Sequence, residues 1–91
     1  MIEPGYELVV APVVRSQLAE PLSEAVALAA YAFITGPLLD DPHRVGKRLR
    51  PPLDARYCAR RGTYRVIYRV DDQNRRVTVL SVFSRADAYW T

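Results

Sequence analysis

The sequence predicts an α+β domain of order β-α-α-β-β-β, an antiparallel sheet with a helical hairpin packed on one face. Three observations carry this. Leu22 to Thr35 is rich in alanine and leucine, carries no charge after Glu24, and stops at Gly36-Pro37, the punctuation of a helix. Tyr64 to Val70 keeps placing arginine between apolar residues, and Arg76 to Ser84 is strongly β-branched; both patterns belong to strands. Two short turn signals, Arg60-Arg61-Gly62-Thr63 and Asp71-Asp72-Gln73-Asn74, separate three strand-like runs and so predict a meander.

The elements follow in chain order. Tyr6 to Ala11 is a short strand between Pro4-Gly5 and Pro12. Proline is tolerated in the first turn of a helix, so Val13 to Glu20 reads as a helix that Pro21 ends. The helix from Leu22 to Thr35 spreads Val26, Leu28, Tyr31, Phe33 and Ile34 over more than one face. Such a helix is either covered on several sides by its own domain or lent on one side to another chain. Leu38 to Asp54 is polar, basic and proline-containing, and reads as a long loop or short irregular element. Arg56 to Arg60, Tyr64 to Val70 and Arg76 to Ser84 are the last three strands. Ala86 to Trp90 reads as one helical turn.

Composition bounds the function. Ninety-one residues make one domain, 1–91, with a modest core. No apolar run reaches the roughly 18 residues of a membrane span. The acidic, proline-broken start is wrong for a signal peptide. The single Cys58 excludes an internal disulfide, which fits a cytoplasmic protein, and one histidine with one cysteine argues against structural zinc. No cofactor is expected.

Charge is divided sharply. Residues 1–43 hold Arg15 against six acids, a balance of −5, whereas residues 44–76 hold eleven bases against three acids, a balance of +8. A basic half on a small domain is the footprint of a nucleic-acid binder. Strand parity refines it: Tyr64, Val66, Tyr68 and Val70 share one face, and Arg65, Ile67 and Arg69 share the other. The first set reads as core. The second puts Arg65 and Arg69 on an open face near Arg60 and Arg61 of the turn, with Arg85 and Tyr89 approaching from the chain's end. Three or four arginines and a tyrosine around one concavity suit phosphate. The plainer reading pairs those arginines with acids on a solvated face and uses Tyr89 only to staple the C-terminus.

These residues resemble a known family. The run His43-Arg44-Val45-Gly46-Lys47-Arg48-Leu49-Arg50, then Tyr57, then Ala59-Arg60-Arg61-Gly62-Thr63-Tyr64-Arg65-Val66-Ile67-Tyr68, then Asp71-Asp72, and the late stretch from Arg85 to Tyr89, look like RelE-type toxins of the RelE/ParE toxin–antitoxin superfamily, in the form seen in actinobacterial members. The resemblance implies the RelE-like fold and a ribosome-dependent endoribonuclease, an mRNA interferase that cuts mRNA in the decoding site. It implies Arg65, Arg85 and Tyr89 as catalytic, with Arg60, or Arg61 if the turn shifts register, as the basic residue of the second strand. Arg44, Lys47, Arg48, Arg50 and Arg69 would contact ribosomal RNA, giving affinity without sequence choice. Two positions depart from the pattern: Cys58 stands where the best-known members have lysine, and Ser84 where many have histidine or lysine. His43, beside Pro42, reads as a turn residue. The implied partners are the ribosome with its mRNA and a RelB-like antitoxin, whose acidic, amphipathic segment would lie across the toxin in a hetero-oligomer. Two other classes stay open, a ParE-like toxin that binds DNA gyrase and a non-catalytic RNA-binding domain.

Overall fold

The computed structural model describes residues 5–19, 22–50 and 56–84. Its elements are β1 (Glu7–Val10), α1 (Pro12–Ala19), α2 (Glu24–Thr35), α3 (Pro37–Asp40), α4 (Pro42–Val45), β2 (Lys47–Arg48), β3 (Tyr57–Arg61), β4 (Tyr64–Asp71) and β5 (Arg76–Ser84). The α+β class, the helical pair and the β3-β4-β5 meander agree with the sequence. The predicted turn at Ala86 to Trp90 lies outside the described residues.

Two features differ from expectation. The sheet is mixed: in the order β1-β5-β4-β3-β2, β1 runs parallel to β5 and every other pairing is antiparallel. Alternation within Leu8 and Val10 shows which side of β1 is apolar, but nothing local names its neighbour. The stretch expected to be a loop from Leu38 also begins as two one-turn helices and a two-residue strand. Pro37 and Pro42 each open a helix, where a preset φ and a missing N–H cost nothing. Leu38 and Pro42 are then buried, so packing consolidates turns that propensity alone would not hold.

One apolar layer joins helices to sheet. Val14 of α1, Ala30, Phe33 and Ile34 of α2 and Leu38 of α3 meet Ala59, Tyr64, Val66, Tyr68, Val77, Val79 and Val82. The spacing of Val79 and Val82 breaks two-residue alternation, and a β-bulge repairs it. Tyr68 pairs with Val79 and Ile67 with Ser81, so Leu80 is the extra residue and both valines face the core. Ser23 caps α2 by accepting from the Val26 N–H at 3.3 Å, and Tyr64 Oη donates to Ala29 O at 3.2 Å, fastening β4 to that helix. Gly62, at φ 55°, makes the β3–β4 turn where a side chain would be strained.

The β5 edge beyond β1 is closed by a side chain. β1 ends at Val10 opposite Val79, leaving the later N–H groups of β5 without a strand on that side. Gln17 of α1 takes over: its Oε1 accepts from Val82 N at 2.7 Å, and its Nε2 donates to Ser81 Oγ at 3.1 Å. In Gln17→Leu the Val82 N–H is left without a partner at a part-buried site, and stability should fall by about 1–3 kcal/mol. A urea midpoint equal to wild type would contradict this assignment.

Candidate nucleic-acid interface

Cross-strand pairing decides which cations meet, because directly opposite residues project from the same face. Arg60 of β3 lies opposite Arg65 of β4, and Arg65 opposite Phe83 of β5. Lys47 of β2 lies opposite Cys58, and Cys58 opposite Ile67. Arg69 lies opposite Thr78, and Thr78 opposite Val9. All of these occupy the sheet face turned away from the helices. Arg65, Ile67 and Arg69 follow one another every second residue, so the two arginines stand ~13 Å apart along β4.

Among the described residues, Lys47, Arg60, Arg65 and Arg69 have no ion pair and no side-chain hydrogen bond. Arg76 is different, its Nε lying 3.3 Å from Glu7 Oε1. Holding like charges together unpaired is unfavourable in isolation and favourable once an anion arrives. Cys58 adds neither charge nor a base. Burial pushes its thiol upward, and the nearby Arg65 and Arg60 offset that only in part, so it stays protonated at neutral pH.

The structure separates residues that the sequence had grouped. Arg61 is opposite Tyr64 and projects to the helical face, where its guanidinium lies 4.6 Å from the centroid of the Phe33 ring. A strand alternates faces, so Arg60 and Arg61 cannot both join Arg65, and the register selects Arg60. Arg61 instead makes a cation–π contact at the core's edge. Lys47 and Arg48 part in the same way: Lys47 joins Cys58 on the open face, and Arg48 is opposite Tyr57 on the other. Arg44, in the last turn of α4, and Arg50, after β2, are exposed. β5 carries the chain to Ser84 opposite Tyr64, and Arg85 and Tyr89 lie outside the described residues.

A second polar cluster was not legible in the sequence. Asp72 Oδ1 accepts from Tyr6 Oη at 2.6 Å and from His43 Nε2 at 2.7 Å. His43 Nδ1 and Tyr57 Oη share a hydrogen bond of 2.8 Å. Tyr57 stacks on buried Tyr68 with ring centroids 5.5 Å apart, which puts the cluster across the sheet from the cations. It ties the start of β1, α4, β3 and the β4–β5 turn together, across sequence separations that no motif spans. His43 is therefore a clamp rather than a turn residue.

The clamp sets an acid limit. Hydrogen bonds from Tyr6 and then His43 hold the Asp72 carboxyl below its ordinary value, and the Asn74 side chain does the same for Asp71. A depressed folded-state value contributes stability above the unfolded value, about 3.9, that is lost as pH falls through the folded one. The urea midpoint should therefore drop below about pH 4, and Asp72→Asn should show a shallower drop. Parallel acid curves for variant and wild type would exclude a contribution from Asp72.

The family model for the ParE toxin of type II toxin–antitoxin systems, parDE, matches residues 14–89. Toxin RelE of Mycobacterium tuberculosis is 46% identical over 68 residues, covering 75% of this chain and 70% of that protein. The chain belongs to the RelE/ParE toxins. Within them it is of RelE type. Toxin RelG of the same organism is also 46% identical over 68 residues, 75% of this chain and 78% of its own length. The crystal structure of the toxin–antitoxin complex RelBE2 from M. tuberculosis superposes with a TM-score of 0.85 at 38% identity, over 89% of this toxin and 99% of that chain. No helix among the toxin's described residues is long and apolar enough to cross a membrane.

Proposed function

We propose that this RelE-like toxin is a ribosome-dependent endoribonuclease that cuts mRNA in the decoding site and halts translation. The observation that carries the reading is the adjacency of Arg60 and Arg65, unpaired among the described residues, on the open face of the sheet. In the reaction the ribose 2′-oxygen bonds to the adjacent phosphorus while the bond to the 5′-oxygen breaks. The products are a 2′,3′-cyclic phosphate and a 5′-hydroxyl, the proton passing from the 2′-oxygen to the leaving oxygen. Charge builds on the phosphoryl oxygens, and forked, permanently charged guanidinium groups aimed there lower the barrier. Arg85 and Tyr89 complete the set by family resemblance. Tyr89 takes the proton-handling part for which guanidinium is unsuited. Lys47, Arg69, Arg44, Arg48 and Arg50 supply docking charge toward ribosomal RNA, and a toxin acting on translating ribosomes acts in the cytoplasm.

An antitoxin follows from the same kinship, since the M. tuberculosis relative was crystallised as a toxin–antitoxin complex. Its seat on this chain is the helical side. Leu28 and Tyr31 of α2 are 64% and 59% exposed. Beside them a cleft of about 220 Å³ is lined by Leu8, Val10, Val14, Arg15, Leu18, Tyr31 and Ile34. An amphipathic segment would bury apolar side chains there and set a carboxylate against Arg15.

The match to the ParE family model favours a second reading, a toxin that binds DNA gyrase and cuts no RNA. Induced expression with mapping of mRNA 5′ ends separates the two. New ends within translated codons, lost in Arg65→Ala, Arg85→Ala and Tyr89→Phe, support the nuclease. DNA damage without new ends supports the gyrase toxin.

A further inference from the structure

The cross-strand row that holds Arg60 and Arg65 ends on an aromatic ring. Phe83 lies directly opposite Arg65 and shares the open face, with Cβ atoms ~5 Å apart by the geometry of such pairs. It is partly buried, yet it is not among the apolar side chains that pack against the core, and neither is its face-mate Ile67. The described aromatic residues of the sheet otherwise have clear employment. Tyr64 and Tyr68 are core, and Tyr57 stacks on Tyr68. Among the described residues no ring and no guanidinium stacks on Phe83.

Cations alone would hold a phosphate backbone. A flat apolar ring beside two unpaired arginines adds what a single-stranded nucleic acid offers next to its phosphate, the π-face of a base. Apolar and cationic side chains on one row match base and phosphate of one nucleotide, whereas a protein segment would leave the arginines without a planar anion unless it were densely acidic. We propose that Phe83 is a base-stacking residue of this face, on which a nucleobase of single-stranded RNA lies while Arg60 and Arg65 hold the flanking phosphates. This rests on the ribonuclease reading and extends it from the phosphate to the base. Stacking uses no hydrogen-bonding edge, so the contact fixes where a nucleotide sits without choosing which one it is.

The test measures binding of the full-length toxin to programmed ribosomes whose A-site codon carries 2′-deoxy sugars to block cleavage. Each A-site base is removed in turn by an abasic nucleotide. Wild type should bind about tenfold more weakly when the stacked base is absent. Phe83→Leu, which keeps an apolar side chain without a ring, should show that loss with the intact codon and lose nothing more on the abasic one. Phe83→Tyr, which keeps the ring, should behave as wild type. If Phe83→Leu is as sensitive to base removal as wild type, or if wild type is indifferent at all three positions, the stacking role is overturned while the ribonuclease reading stands. Wild type that fails to bind programmed ribosomes at all overturns both.

Discussion

Arg65→Ala is expected to lower the rate of mRNA cleavage on programmed ribosomes by about 100- to 1000-fold, the usual cost of deleting one preorganised group that stabilises transition-state charge. The fold should hardly register the change. Arg65 sits on the open face with no ion pair or hydrogen bond among the described residues, so its removal relieves repulsion from Arg60 and leaves no group unsatisfied. The control is its neighbour across the turn. Arg61→Ala removes the contact with Phe33, costing about 0.5–1 kcal/mol, yet should leave the cleavage rate near wild type because the side chain projects to the helical face. Single-turnover cleavage and thermal unfolding of both variants check this double dissociation. Equal loss of activity in the two would mean that the register does not divide chemistry from packing as described.

Tyr68→Ala should be the most damaging core substitution, at about 3–5 kcal/mol against a total stability of ordinarily 5–15 kcal/mol. The ring is fully buried at the centre of the sheet, stacks on Tyr57, and sends its hydroxyl to the carbonyl of Pro42 at 2.5 Å. That bond pins α4 to β4. Tyr68→Phe keeps the ring and strands the carbonyl, so about 1–2 kcal/mol is expected, a lowering of the melting temperature by about 4–8 °C per kcal/mol. Gly46 provides an independent check. A Cβ there would collide with the Tyr68 hydroxyl first, and with the Tyr68 ring and Cys58 carbonyl less severely. Gly46→Ala should therefore cost less in the Tyr68→Phe background than alone. Additive costs would show that the hydroxyl is not what excludes a side chain at 46.

Much of the sheet was legible because alternation is a local signal. On β4 the core set Tyr64, Val66, Tyr68 and the open set Arg65, Ile67, Arg69 follow from the two-residue period, and burial agrees. The charge division between the two halves of the chain was equally plain, and so were the helices, bounded by Pro12, Pro21 and Gly36-Pro37. What failed locally was irregular or paired at long range. The stretch from Leu38 looked like a loop because four-residue helices and a two-residue strand lie below the length at which a period can be read.

The candidate site shows the same limit. That arginines belonged on an open face was a matter of parity, and the proposal that they hold phosphate a matter of charge and family resemblance. That Arg60 rather than Arg61 joins Arg65 depends on the register of β3 against β4, which a one-residue shift would reverse. Phe83 read as one more apolar residue of a β-branched strand until the bulge at Leu80 reset the facing of β5 and placed it beside Arg65. His43 looked idle because its partners Tyr57 and Asp72 are 14 and 29 residues away.

Local order along this chain thus settled which segments are helix or strand, which face of β4 is apolar, and where positive charge collects. Backbone alternation, turn chemistry and composition act over a few residues and leave their mark in the chain itself. The neighbour of β1, the choice between two adjacent arginines, and the ring set beside them were decided by packing. Those depend on how strands many residues apart dock and slip against one another, a quantity with no local trace.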